Sequence, residues 1–126
     1  MKSKLVETEA VMKLMNAYYS SVYAADTESL RELFHEKAVM FGFSGKVFLF
    51  GTPEPFFSAV AKEPSPIDIA AECTTVITEL NVTERDADAS LLVSGFYGDV
   101  TVEDKFDFIK ENGDWKIICK TFSVPD

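Results

Sequence analysis

The chain has a single histidine, two cysteines and few basic residues, and each scarcity removes a class of chemistry. One histidine, His35, without clustered carboxylates cannot make up a zinc or di-iron ligand set, so no metal is expected. Cys73 and Cys119 lack metal-ligand spacing and read as small core hydrophobes of a reducing compartment. No serine, histidine and acid triad can be argued, and "GFSGK" at 42–46 is not a nucleophile elbow. Glycine motifs that cradle phosphates are missing, which disfavours nucleotides, and no cofactor is expected. No apolar run approaches the roughly 18–20 residues that span a bilayer, and "MKSKLVETEA" has no leader-like apolar stretch. The expected location is therefore cytoplasmic, away from membranes. Twelve basic residues against 21 acidic ones give a net charge of −9, which repels nucleic acid and anionic membrane surfaces.

What is abundant is apolar surface: 47% of the 126 residues are hydrophobic and 11 are phenylalanine. That suffices for one domain, 1–126, with a substantial core or an apolar cavity. Val11, Leu14, Met15, Tyr18 and Val22 recur at helical spacing and predict an amphipathic helix over about 5–24. "ADTESLRELF" predicts a second, short helix capped by Asp26 or Thr27 and ending near His35. "AVMFGFSGKVFLF" splits around Ser44 and Gly45 into a small hairpin. "GTPEPFF" then predicts a third helix, with Thr52 as cap, Pro53 in first position, and Phe56, Ala59 and Val60 inward. Pro64 and Pro66 end it.

Four strands are expected beyond it, over about 67–82, 87–97, 100–111 and 114–123, joined by short turns. Asn112 and Gly113 give the strongest hairpin signal. Ile67, Ile69, Ala71, Cys73 and Ile77 share one parity while Leu80 and Val82 take the other, which predicts a bulge near 78 or 79. The fold class is α+β: a curved antiparallel sheet of four long strands plus the short hairpin, packed against three N-terminal helices. Space left between helices and sheet would form a pocket.

The strand "TVEDKFDFIK" places Asp104 on the same face as Val102, Phe106 and Phe108. A carboxylate there needs a partner, a neutral form or a wet cavity. On the last strand, strict alternation puts Lys120 with Ile118 and Phe122, and Trp115 with Ile117 and Cys119. Which set faces inward is open; the rarity of buried lysine favours Lys120 outward, and an inward Lys120 would pair with Asp104.

The order of long helix, "YAADTESLRELFHEKAVMFG", hairpin, third helix and a meander ending "NGDWKIICKTF" resembles the nuclear transport factor 2-like superfamily over residues 8–124. Within it the SnoaL-like, or putative lumazine-binding, group is the most similar, on Asp26, "FHEKA", Trp115, Lys120 and Phe122. The resemblance implies a cone-shaped α+β barrel, a homodimer through the outer sheet face and a ligand cavity in the cone. It does not fix an activity, because one fold carries many. Ketosteroid isomerases hold a developing oxyanion with a tyrosine and a protonated aspartic acid, and use a second aspartate as base. Tyr18 and Asp104 resemble the first two, whereas Phe41, Gly42 and Phe43 occupy the place of the base and cannot accept a proton.

The expected function is binding of an apolar or aromatic small molecule in the cone. Tyr18, Asp104, Phe41, Phe56, Phe106, Trp115 and Lys120 would line the site. The alternatives are a cofactor-independent SnoaL-like enzyme (cyclase, dehydratase or isomerase) using Asp104, Tyr18 or His35, and a dimeric scaffold with a filled cavity. His35 would more simply sit at a helix C-terminus, where an imidazolium is favoured.

Overall fold

A computed structural model describes residues 2–96 and 98–124, the side chains of residues 2 and 3 excepted. Its elements run α1 (Lys2–Tyr23), α2 (Thr27–Glu32), β1 (Phe34–Ser44), β2 (Val47–Gly51), α3 (Glu54–Lys62), β3 (Thr74–Val82), β4 (Asp86–Ser94), β5 (Thr101–Glu111) and β6 (Asp114–Val124). The six strands form one sheet in the order β2-β1-β6-β5-β4-β3. The four long C-terminal strands make the expected antiparallel meander, and β1 joins it by pairing parallel with β6. The sheet is therefore mixed. The fold class is the expected α+β arrangement, with the core between the inner sheet face and the helices.

Of the expected stripe of α1, Val11, Leu14, Met15 and Tyr18 are buried and Val22 partly so, and Tyr19 joins them. Asp26 is the cap of α2: its carboxylate accepts from the Ser29 N–H at 3.2 Å and hydroxyl at 2.8 Å. These bonds hold the Asp26 carboxyl below its ordinary pKa.

Three expected boundaries move. The second helix stops at Glu32 rather than near His35, because Phe34 buries itself and the Leu33 carbonyl accepts from the Ile117 N–H at 2.9 Å, turning "FHEKA" into strand. Thr52 does not cap the third helix; Pro53 holds that position, and Phe57, not Phe56, is the residue of α3 that is buried. Residues 67–73 are not strand. The Ser65 hydroxyl accepts from Asp68 N–H at 3.1 Å, the Ser65 carbonyl accepts from Ile69 and the Pro66 carbonyl from Ala71, winding the segment into a turn. Ile67 and Ile69, whose alternation suggested a strand, are left mostly exposed.

Register shifts shape the sheet, one of them where β1 meets β6, between Phe34 and Val39, and two within the meander. One lies in β3 between Ile77 and Glu79, where the apolar parity changes. The other was not anticipated: Phe108 pairs with Ile117 but Asp107 with Cys119, so Ile118 is an extra residue in β6. The thiols of Cys73 and Cys119 are half-buried, unpaired and pushed up in pKa, chiefly by burial.

Gly95 closes the end of β4 at φ +90, where a Cβ would stand 2.1 Å from the Glu72 carbonyl oxygen. Gly98, at φ +77, has open space around it. Gly95→Ala is therefore expected to cost more than about 2 kcal/mol and Gly98→Ala about 1 kcal/mol, measured by urea unfolding. Equal costs would contradict the close approach.

Candidate functional site

The bulge at Ile118 sets the phase of β6, so Trp115, Ile117, Lys120 and Phe122 all turn toward the helices. This corrects the outward placing of Lys120, which is 1% exposed. Cross-strand register puts Lys120 opposite Phe106 and Asp104 opposite Phe122, so lysine and acid are diagonal neighbours on one face. The Lys120 ammonium lies 3.8 Å from Asp104 Oδ1, and both residues are fully buried. Around the nitrogen lie the rings of Phe56 at 4.7 Å, Tyr18 at 5.6 Å and Phe122 at 5.8 Å, measured to the centroids. Cation–π attraction and the nearby carboxylate together offset the loss of water from the ammonium.

The acid's hydrogen-bonding tyrosine is Tyr19, not the expected Tyr18: its hydroxyl donates to Asp104 Oδ2 at 2.8 Å. Met15 and Tyr19 are four residues apart, so helical periodicity places Tyr19 on the same stripe as Tyr18. That was the signal available in the sequence. Tyr18 packs instead between aromatic neighbours, edge-on to Tyr19 at 4.8 Å and Phe106 at 4.9 Å, and parallel to Phe56 at 6.2 Å. Asp104 Oδ1 accepts no hydrogen bond among the described residues.

The remaining predicted residues lie elsewhere. Met40 pairs with Lys120 and faces in, so Phe41 faces out beside Phe50 and does not line the interior. Trp115 is buried, but sits across from Lys110 toward the other end of the strands. His35 belongs to β1, where its Nε2 meets Glu111 Oε1 at 3.2 Å and its Nδ1 accepts from the Lys37 N–H. Glu111 is seven residues along β5 from Asp104, about 23 Å at strand rise, so His35 stands well away from the acid.

Two cavities each reach one residue that touches the buried pair. The first, of about 880 Å³, is lined by Tyr19, Tyr23, Glu72, Cys73 and Phe96, among others. The second, of about 900 Å³, is lined by Phe56, Val60, Ile69, Glu72, Phe96 and Asp99, among others. Tyr19 separates the first from Asp104, and Phe56 separates the second from Lys120. Among the described residues no group of histidine, cysteine and carboxylate side chains could hold a metal ion. No described helix is long and apolar enough to cross a membrane.

On the outer sheet face Asp107 stands directly across from Asp88. Partial burial, and then the Asp88 charge, push the Asp107 carboxyl up in pKa. The folded chain thus holds that proton to higher pH than the unfolded chain does. This contribution favours the fold below the ordinary carboxylate range and is lost as pH rises through the raised value. Asp107→Asn is expected to raise the unfolding midpoint at neutral pH and leave it unchanged at low pH; a gain only in acid would contradict the assignment. On the inner face, Tyr19→Phe removes the donor to a buried carboxylate and is expected to cost about 1.5–3 kcal/mol in urea unfolding. A cost below about 0.5 kcal/mol would mean that the bond contributes nothing net.

The chain matches the family described as putative lumazine-binding over residues 6–123. None of the curated proteins compared with it matches. Among solved structures it is similar to a nuclear transport factor 2-like protein of unknown function from Methylobacillus flagellatus KT, at 18% identity and a TM-score of 0.81, covering 94% of this chain and 91% of that one. A second such protein, from Shewanella baltica OS155, is 21% identical with a TM-score of 0.78, over 94% and 93% of the two chains. A putative scytalone dehydratase from Novosphingobium aromaticivorans DSM 12444 is 16% identical with a TM-score of 0.69, over 96% and 85%. At these identities the likeness is one of fold.

Proposed function

From the premise that the chain belongs to the putative lumazine-binding family and has the nuclear transport factor 2-like fold, we propose that it binds an apolar or aromatic small molecule in the cone. The observation that carries this reading is the polar cluster of Asp104, Tyr19 and Lys120, set in an aromatic wall beside two cavities of about 880 and 900 Å³. Apolar contacts with Phe56, Phe96 and Val60 supply affinity, and Tyr19, the member of the polar cluster that lines a cavity, helps fix orientation. Tyr18 and Phe106 back the polar groups rather than touching the ligand first.

The second reading is a cofactor-independent enzyme, and the same trio favours it: a carboxylate, a phenol and an ammonium in a dry site can stabilise developing charge. Binding ranks first because Tyr19 and Phe56 stand between the acid and both cavities, whereas a proton-transfer group must reach its substrate. As its own partner, a second copy of the chain would cover the outer sheet face, where Phe43 and Phe48 on one side and Val76 and Leu92 on the other are exposed. The charge balance suits a cytoplasmic protein of one domain.

Native mass spectrometry of the purified protein is expected to show a dimer of twice 14.0 kDa carrying a small organic molecule. Asp104→Asn should keep affinity for that molecule within about tenfold, roughly 1.4 kcal/mol. A bare monomer would count against both parts of the reading. Turnover of the carried molecule that Asp104→Asn abolishes would replace binding by catalysis.

A further inference from the structure

Phe56 is held unlike its contact partner Tyr18 and the neighbouring Phe106. Tyr18 and Phe106 are sealed by helix and sheet, whereas Phe56 is only partly buried and forms part of the wall of the 900 Å³ cavity. Its ring lies within 9° of parallel to Tyr18 at 6.2 Å, and the Lys120 ammonium sits over it at 4.7 Å, the nearest of the three rings around that nitrogen. The helix that carries it is anchored through its other face, by Phe57 and by the ion pair of Glu54 with Arg31 of α2. Phe57 is the buried residue of α3, fixed edge-on to Phe34 at 5.1 Å and under the Arg31 guanidinium at 4.7 Å. The start of α3 has no side-chain cap, and Pro64 and Pro66 follow its end.

We propose that Phe56 occupies the innermost ligand subsite and is displaced by a planar aromatic ring, which then lies beside both Tyr18 and Lys120. This rests on the reading of the cone interior as a binding site and adds the class of ligand. Whatever replaces Phe56 must restore a π face to a fully buried ammonium that would otherwise lose its nearest ring; a saturated ring of equal size fills the volume without doing so. Phe56 is in that sense a specificity-determining side chain. It admits rings that can take over its contact with Lys120 and keeps the ion pair dry when none is bound. Its neighbour Phe57 has no such contact and serves as the internal control.

The test is acylation of lysine by a small anhydride, read at Lys120 by peptide mass spectrometry, on folded wild type, Phe56→Ala and Phe57→Ala. Lys120 should react slowly in wild type and in Phe57→Ala, and at least about tenfold faster in Phe56→Ala, because only that change opens the cavity onto the amine. Phenol should slow the reaction of Phe56→Ala toward the wild-type rate, and cyclohexanol at the same concentration should not. Should Phe56→Ala fail to fold, Phe56→Val, which removes the ring and part of its volume and so still opens a path to the amine, takes its place, with the same expected order of protection at a smaller difference in rate.

The proposal is overturned if Lys120 stays as slow in folded Phe56→Ala as in wild type. It is also overturned if Phe57→Ala reacts equally fast, or if cyclohexanol protects as well as phenol. A protein that carries no ligand from the cell while showing the expected labelling pattern would defeat the binding reading and leave the subsite standing, so the two failures are distinct.

Discussion

A lysine and an aspartate share the dry inner face of this sheet, and much of the architecture is arranged around keeping them together. Two ions taken out of water cost several kcal/mol each, and their attraction recovers that only with good geometry and further partners. Here the partners come from four elements. Strands β5 and β6 supply Asp104 and Lys120, α1 supplies Tyr18 and Tyr19, and α3 supplies Phe56. The packing of both helices on the sheet is therefore tied to the same pair of charges. The single extra residue at Ile118 makes this possible, because without it the phase that buries Trp115 and Ile117 would turn Lys120 to solvent.

Much of the fold could be read from the residues. The period of α1, the Asp26 cap, the Asn112 and Gly113 turn and the bulge of β3 each have a local cause, and each lies where its cause puts it. What could not be read was decided by distant partners. "FHEKA" is helix-compatible, yet it pairs with a strand more than eighty residues later, and the burial of Phe34 against Phe57 settles the competition. Ile67 and Ile69 alternate as a strand would, but the Ser65 side chain and the Pro66 carbonyl capture the backbone into a turn. Thr52 sits one residue too early to cap, because Pro53 already holds that position.

The site was legible in part for the same reason. Asp104 announces itself as an acid on an apolar face, and parity within one strand is enough to find it. Its partners needed information that crosses elements. Choosing between Tyr18 and Tyr19 requires the rotation of α1 about its axis to within a few tens of degrees, finer than a hydrophobic stripe defines. Placing Lys120 requires a bulge that leaves no mark in composition. Phe41 was drawn inward by the resemblance, which sets it at the place of the isomerase base, and the pairing of β1 with β6 puts it on the other face.

The ion pair, the tyrosine bond and the aromatic wall together describe an interior whose charged pair is enclosed by rings, with Tyr19 and Phe56 between it and the cavities. The claim on which all of this depends is that Asp104 and Lys120 are energetically coupled inside the fold. A double-mutant cycle of Asp104→Asn and Lys120→Met, read by urea unfolding, tests it most directly. A coupling of about 2–3 kcal/mol is expected, with the double variant more stable than the sum of the single changes allows. Additive effects, within about 0.5 kcal/mol, would contradict it.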